Sequence, residues 1–388
     1  MRVSPGIVIL LCITLLLCIN LFGLYQRYDY LMRTPPSMTP RQTETFAFSF
    51  AGDIMAHDVN YLNPSYDEIY RGVTAFLQED LLSFANLEFP VDNSKPLQNY
   101  PHFNVHSAYV DAAVEAGFQV FSAANNHSAD QGSESIAATA AYLNKLADGD
   151  GIRWSGLRAH ADDPMLPELI EVKGMRIGFL AVTAFLNLEE GSSLVYRVNH
   201  NNPERRESFL KYIRSIRPGY DLFILSVHAG VEYASLPHRG KHEFFYQLIE
   251  AGVDIVWGHH PHVLQPHEVL TRPDGRRGII INSAGNFISG QTWHMKTDEI
   301  DTELPARGEG AIYTVNLVRS PEKGLIICGV DAVPVVSYRD PQMGMIVRTY
   351  DDVLKDRQVN PKWKRFYHQR KEPFTEILQE ADWRNLAP

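Results

Sequence analysis

Cysteine is scarce in this chain: there are three among 388 residues, and two of them, Cys12 and Cys18, fall inside an apolar N-terminal stretch. Only Cys328 is left for the remainder, which excludes a disulfide framework. The exclusion does not fix a compartment, because a chain with a large core needs no such staples. Positive charge is also short, with 36 Lys and Arg against 46 Asp and Glu, a net charge of −10 and no basic run. Nucleic acid is therefore not an expected partner. Internal repeats are lacking too.

Charge of either sign is absent from residues 6–25. At about 1.5 Å per residue, twenty residues in a helix cross a hydrocarbon core of about 30 Å, so this segment is expected to be a transmembrane anchor. A cleaved signal peptide is the rival, but no small-x-small site follows, since Gly23 has Leu21 two positions before it. Lipoprotein processing is disfavoured by Leu17 immediately before Cys18. Arg2 on one side and Arg27 and Arg33 on the other leave the orientation undecided. Residues 26–45 include the proline-rich run 34–40 and read as an extended linker.

What is present begins at residue 46. Short apolar runs rich in β-branched and aromatic residues alternate with helical patterns, which indicates an α/β domain. Strands are expected at 46–53, 82–88, 119–124, 176–183, 221–228, 254–258 and 278–283, and helices at 109–116, 134–147, 203–216 and 241–251. Proline opens the third helix, while Gly117 and Gly252 close the first and the fourth. The domain is taken to span 46–349, with a more polar helical extension at 350–388.

Several of these strands run into residues that bind metals or move protons: Asp53, Glu88, Asn125-Asn126-His127, His228 and Gly258-His259-His260-Pro261-His262. In open α/β sheets, residues remote in sequence meet outside the carboxyl ends of the strands. Asp53, Asn125 or Asn126 taken singly reads as a turn or cap residue, and a lone His228 as a hydrogen-bonded core histidine. Three imidazoles within four residues, at the end of an apolar run, are hard to explain by packing. Oxygen from Asp53, Glu88 and Asn126 mixed with imidazoles from His228, His260 and His262 suits Mn, Fe or Zn better than Ca. One or two divalent transition metals are expected, with Glu88 able to bridge two of them.

Gly52-Asp53-Ile54-Met55, Asn86-Leu87-Glu88, Asn125-Asn126-His127 with Asp130 and Gly132, His228-Ala229-Gly230-Val231-Glu232, the segment 258–266 and Ser283-Ala284-Gly285-Asn286-Phe287 together resemble the CapA family of poly-γ-glutamate capsule synthesis proteins. The resemblance covers about 46–340. It implies a calcineurin-like metallophosphoesterase fold, a four-layer α/β/β/α sandwich with a two-metal site. Carried over, Asp53, Glu88, Asn126, His228, His260 and His262 look like metal ligands and His127 like the catalytic proton donor. His57, Asn125, Asp130, Glu232, His259 and Asn286 would support the ligands or face the substrate. The register of the histidine run leaves His259 or His260 as the ligand. Met55 stands where the phosphoesterase pattern has histidine; His57 could substitute, or one metal could be weakly held. Ala229 and Ala284 replace bulkier residues and suggest altered pocket walls.

The implied function is that of a membrane-anchored metal-dependent hydrolase of phosphoester or γ-glutamyl/amide bonds in capsule or envelope polymer metabolism, its catalytic domain outside the cytoplasm. Its expected partners are an anionic polymer or a small phosphorylated or γ-glutamyl substrate, the membrane, and membrane synthase or export subunits. The alternative is a non-catalytic metal-binding scaffold of a synthesis or export complex. An intracellular signalling phosphatase is a third reading, disfavoured by the anchor.

Overall fold

A computed structural model describes residues 44–272, 274–320 and 324–379. The anchor expected at 6–25 lies outside the described residues, as does all of the linker except Glu44 and Thr45, which open the first strand. Among the described residues, no helix is long and apolar enough to cross a membrane.

The strands are β1 (Glu44–Ile54), β2 (Leu82–Leu87), β3 (Val120–Ser122), β4 (Arg153–Ser155), β5 (Glu168–Val172), β6 (Met175–Thr183), β7 (Leu222–His228), β8 (Ile255–His259), β9 (Leu264–Thr271), β10 (Arg277–Ala284), β11 (Asn286–Ile288), β12 (Glu309–Ser320), β13 (Gly324–Asp340) and β14 (Gly344–Thr349). They form two sheets. The eight-stranded sheet runs β14-β13-β12-β1-β2-β3-β4 with β11 also on β1, and the six-stranded sheet runs β5-β6-β7-β8-β10-β9. Within them β1-β2-β3-β4 and β6-β7-β8-β10 are parallel, so each sheet gathers several carboxyl ends at one edge.

Side chains alternate across a strand, and this alternation sorts the layers. On β7, Leu222 and Ile224 pack in the larger hydrophobic cluster with Phe50, Phe84, Phe179 and Trp257. Phe223, Leu225 and Val227 point the other way, into a second cluster with α6 (Pro203–Ile216) and α7 (Arg239–Glu250). Between the sheets, Phe50 stacks on Phe84 at 4.6 Å, and Trp257 Nε1 donates to the Ala51 carbonyl at 3.0 Å. Short α1 (Asp58–Tyr61), α2 (Tyr66–Tyr70) and α3 (Thr74–Glu79) precede α4 (Ser107–Ala116) and α5 (Gly132–Asp150). Tyr109, Val110, Ile136 and Leu143 of the last two lie in the larger cluster. The C-terminal extension provides α8 (Tyr350–Lys355) and α9 (Pro361–Ile377).

Two glycines are set by close backbone approach. A Cβ on Gly52 would lie 2.1 Å from the Gly285 carbonyl oxygen, and one on Gly258 would lie 2.3 Å from that of Asn282. No side chain fits at either position, so β1 can press against the β10–β11 junction immediately beside Asp53.

Candidate metal centre

Asp53 is placed near the end of β1, Glu88 immediately follows β2, Asn125-Asn126-His127 follow β3, His228 ends β7, and the histidine run starts at the end of β8. Local hydrogen bonds shape each turn. The Asn125 side chain accepts the His127 N–H at 3.1 Å and donates to the Leu87 carbonyl at 2.7 Å, which ties the turn after β3 to the residue before Glu88. After β8, His260 and His262 adopt φ of 96° and 57°, a region that costs a non-glycine residue about 1–3 kcal/mol. Both imidazoles lie beside Glu88.

The result is two overlapping sets of donors. Glu88, His228 and His260 each offer an atom within 4.8 Å of the others, and so do Asp53, Glu88 and His262. Glu88 Oε1, common to both, is 3.6 Å from His228 Nε2 and 3.5 Å from His262 Nε2. A third set joins exposed Glu232 to His260 and His262. His259 is turned aside, its Nδ1 donating to Asp53 Oδ1 at 2.8 Å. In this arrangement His260 lies among the donors and His259 hydrogen-bonds Asp53. His57 joins neither set, since its Nδ1 accepts the Gly290 N–H at 3.1 Å and its ring packs edge-on to Phe103.

Buried polar atoms normally have partners, yet Glu88 Oε1, Asn126 Oδ1, both nitrogens of His228 and His260 Nδ1 have none. Atoms of this kind fit a cation. Electrostatics agree: burial and the nearby Asp53 charge push Glu88 well above the ordinary carboxyl range. Burial would raise Asp53 likewise, but hydrogen bonds from His259 and His262 hold it well below its usual value. Burial lowers His228 strongly and brings His260 to about 3, so both stay neutral and keep lone pairs to donate. His262 Nδ1 donates to Asn286 Oδ1 at 3.0 Å, and Asn286 is itself fixed by donating to Gln291 and to the Arg307 carbonyl. That bond leaves Nε2 as the free nitrogen facing Glu88.

His127 is held differently. Its Nδ1 donates to Asp130 Oδ2 at 2.6 Å, and the same oxygen accepts the Phe103 N–H at 2.9 Å. Phe103 packs against the imidazole at 4.7 Å. Burial raises the Asp130 carboxyl despite the imidazole beside it.

Several residues were not singled out as site residues from the sequence. Asn86 donates to both carboxylates, at 2.9 Å to Asp53 and 3.4 Å to Glu88; its place in the run Asn86-Leu87-Glu88 was the available signal. Asn187 accepts from the Asn126 amide at 3.4 Å and so turns Asn126 Oδ1 away from itself, while its own amide lies 3.4 Å from the His127 ring. Nothing local marks Asn187, nor Phe185, which meets His260 edge-on at 4.8 Å. Ala229 and Ala284, expected to alter the pocket walls, pack in the two hydrophobic clusters. His228 faces the donors, so its neighbour Ala229 points into the cluster under α6 and α7, while Ala284 packs in the larger core.

Comparison with known proteins bears on this arrangement. Residues 47–291 match the family model described as "Bacterial capsule synthesis protein PGA_cap". The chain belongs to this family. Capsule synthesis relatives include the "Capsule biosynthesis protein CapA" of Bacillus anthracis, 27% identical over 84% of this chain and 77% of that one. The "PGA biosynthesis protein CapA" of Bacillus subtilis (strain 168) is 26% identical over 71% of this chain and 72% of its own length. Among solved structures, the NAD nucleotidase (NadN) of Haemophilus influenzae is 12% identical, covering 88% of this chain and 69% of that chain with a TM-score of 0.43. A likeness that slight says nothing about activity. The matched residues 47–291 include Asp53, Glu88, Asn126, His127, His228, His260 and His262.

Proposed function

We propose that this capsule synthesis family member is a membrane-anchored, metal-dependent hydrolase that cleaves a phosphoester or a γ-glutamyl or other amide bond in capsule or envelope polymer metabolism. It would be held by residues 6–25 with its α/β domain outside the cytoplasm. The observation that carries the hydrolase reading is the pair of donor sets sharing Glu88, whose buried atoms lack partners, beside an imidazole that belongs to neither set.

Asp53, Glu88 and His262 would hold one divalent cation, and Glu88, Asn126, His228 and His260 a second, with Mn, Fe or Zn suited to this mixture of donors. When bound, such cations supply Lewis-acid polarisation of the scissile group and of an attacking water. The chain's own residues do the rest. His259 and Asn86 orient the Asp53 carboxylate. Asp130 holds His127 by Nδ1, which leaves Nε2 as the ring position that, when the imidazole carries both protons, can deliver one to the leaving group. Phe103 and Phe185 cover the imidazoles from water.

The test is His127→Ala. Because His127 lies outside both donor sets, the variant is expected to keep its metal and melting temperature while losing about 10²–10⁴-fold in rate on substrates with poor leaving groups. Nitrophenolate leaves without a proton, so its esters should suffer much less. Equal loss on good and poor leaving groups, or loss of metal with activity, would remove His127 from the acid role. No turnover by the metal-loaded original protein on phosphomonoesters, phosphodiesters or γ-glutamyl peptides would favour the non-catalytic scaffold.

A further inference from the structure

Several half-buried arginines among the described residues have acidic partners. Arg217, Arg272 and Arg276 converge on Asp254, Arg348 pairs with Asp356, and Arg370 with Glu309. Arg307 differs. It lies in the turn Pro305–Gly308 that leads into β12, and among the described residues no carboxylate comes within 4.0 Å of its guanidinium nitrogens. Its Nε is buried with no hydrogen-bond partner.

The side chain is nevertheless held in place. Its guanidinium carbon sits 3.6 Å from the centroid of the Tyr233 ring. Tyr233 is fixed in turn, with φ of 63° and its N–H donating to the Pro261 carbonyl at 2.8 Å, between the donors His260 and His262. The Tyr233 and His262 rings are 6.3 Å apart. On the other side the Arg307 carbonyl accepts from Asn286 at 2.7 Å, the residue that fixes His262. A guanidinium stacked on an aromatic face keeps its plane while its in-plane N–H edges stay available, and that fork matches a carboxylate or a phosphate. A cation held this close to the donors without an internal anion is arranged to meet an external one.

We infer that Arg307, seated on Tyr233, binds an oxyanionic group of the substrate, a carboxylate or a phosphate, beside the donor cluster. The inference deepens the hydrolase reading and rests on it only for the identity of the neighbouring donors. It makes Arg307 a specificity residue, because a neutral analogue would lose its grip there while the bond to be cleaved is unchanged.

Calorimetric titration of the full-length, manganese-loaded protein tests this without requiring turnover. The probes are γ-glutamylglutamate, its uncharged carboxamide analogue and inorganic phosphate, each titrated into the original protein, Arg307→Met and Arg307→Lys. Arg307→Met is expected to weaken at least one anion about tenfold or more, with metal content and melting temperature held, and to leave the neutral analogue unaffected. Arg307→Lys, which keeps the charge but not the fork, should fall between. Weakening confined to the dipeptide assigns a carboxylate, and weakening confined to phosphate assigns a phosphate group. Unchanged affinity for both anions in Arg307→Met, or equal weakening of charged and neutral probes, overturns the inference. If no variant hydrolyses anything while the anions still depend on Arg307, the hydrolase reading fails and the anion site stands.

Discussion

At the scale of single residues the deciding feature is Glu88. Its Oε1 faces His228 and His262 at 3.6 and 3.5 Å with no hydrogen bond of its own. Removing a shared anion leaves two cations repelling each other, whereas a lost amide can be replaced by water. Glu88→Ala and His262→Ala are therefore each expected to reduce bound metal, and Asn126→Ala to reduce it less, as read by metal analysis of the purified proteins. Full metal content in both of the first two variants would put the site elsewhere. These positions were legible in the sequence because each donor ends an apolar run or sits inside a histidine cluster. Asn187 and Arg307 were not, because their roles depend on contacts with Asn126, 61 positions away, and with Tyr233, which no local pattern announces.

At the scale of elements, β1, β2, β3, β6, β7, β8 and β10 could be read from the sequence because both faces of most of them are buried, which gives continuous apolar runs. Strands β12, β13 and β14 could not. Half-exposed stretches such as Val330–Val333 within β13 dilute the apolar signal, and antiparallel pairing alone decides their register. The C-terminal helices were foreseen as surface additions, yet Glu309 at the head of β12 is buried and accepts from Tyr350 Oη at 2.8 Å and from Arg370 Nε and Nη2 at 2.8 and 2.6 Å, so both helices are pinned to the sheet beside Gly310. Packing of α6 and α7 carries a pH prediction. His200 stacks on Phe244 at 5.1 Å, and burial, followed by the charges of Lys241, Arg206 and His238, lowers it to about 4. Between pH 4 and 6.5 the unfolded chain binds this proton and the folded one does not, so stability rises with pH across that window. The contribution is present above about pH 6.5 and lost as pH falls through about 4. In His200→Gln the slope of unfolding free energy against pH should become shallower by about one proton, read from denaturant curves in steps of half a pH unit. An unchanged slope would mean that His200 titrates alike in both states.

For the whole molecule the open question is attachment. Residues 6–25 carry no charge, and about twenty helical residues span a hydrocarbon core of about 30 Å. The described domain starts at Glu44, after the proline-rich stretch, so a chain beginning at Arg41 retains every described element. The full-length protein is expected to remain with the membrane after alkaline carbonate washing, and the chain from Arg41 to be soluble and folded with the same metal content. Cysteine usage allows the orientation to be read in the same preparation. Cys328 is exposed on β13, whereas Cys12 and Cys18 lie within residues 6–25, the expected anchor. A membrane-impermeant maleimide applied to intact cells should therefore label the original protein through Cys328, and Cys328→Ser should abolish that labelling. Labelling only after the cells are broken would place the domain in the cytoplasm and remove the envelope polymer from reach of the metal centre. Intact protein recovered in the carbonate wash, or a mature N-terminus beyond residue 25, would remove the anchor itself.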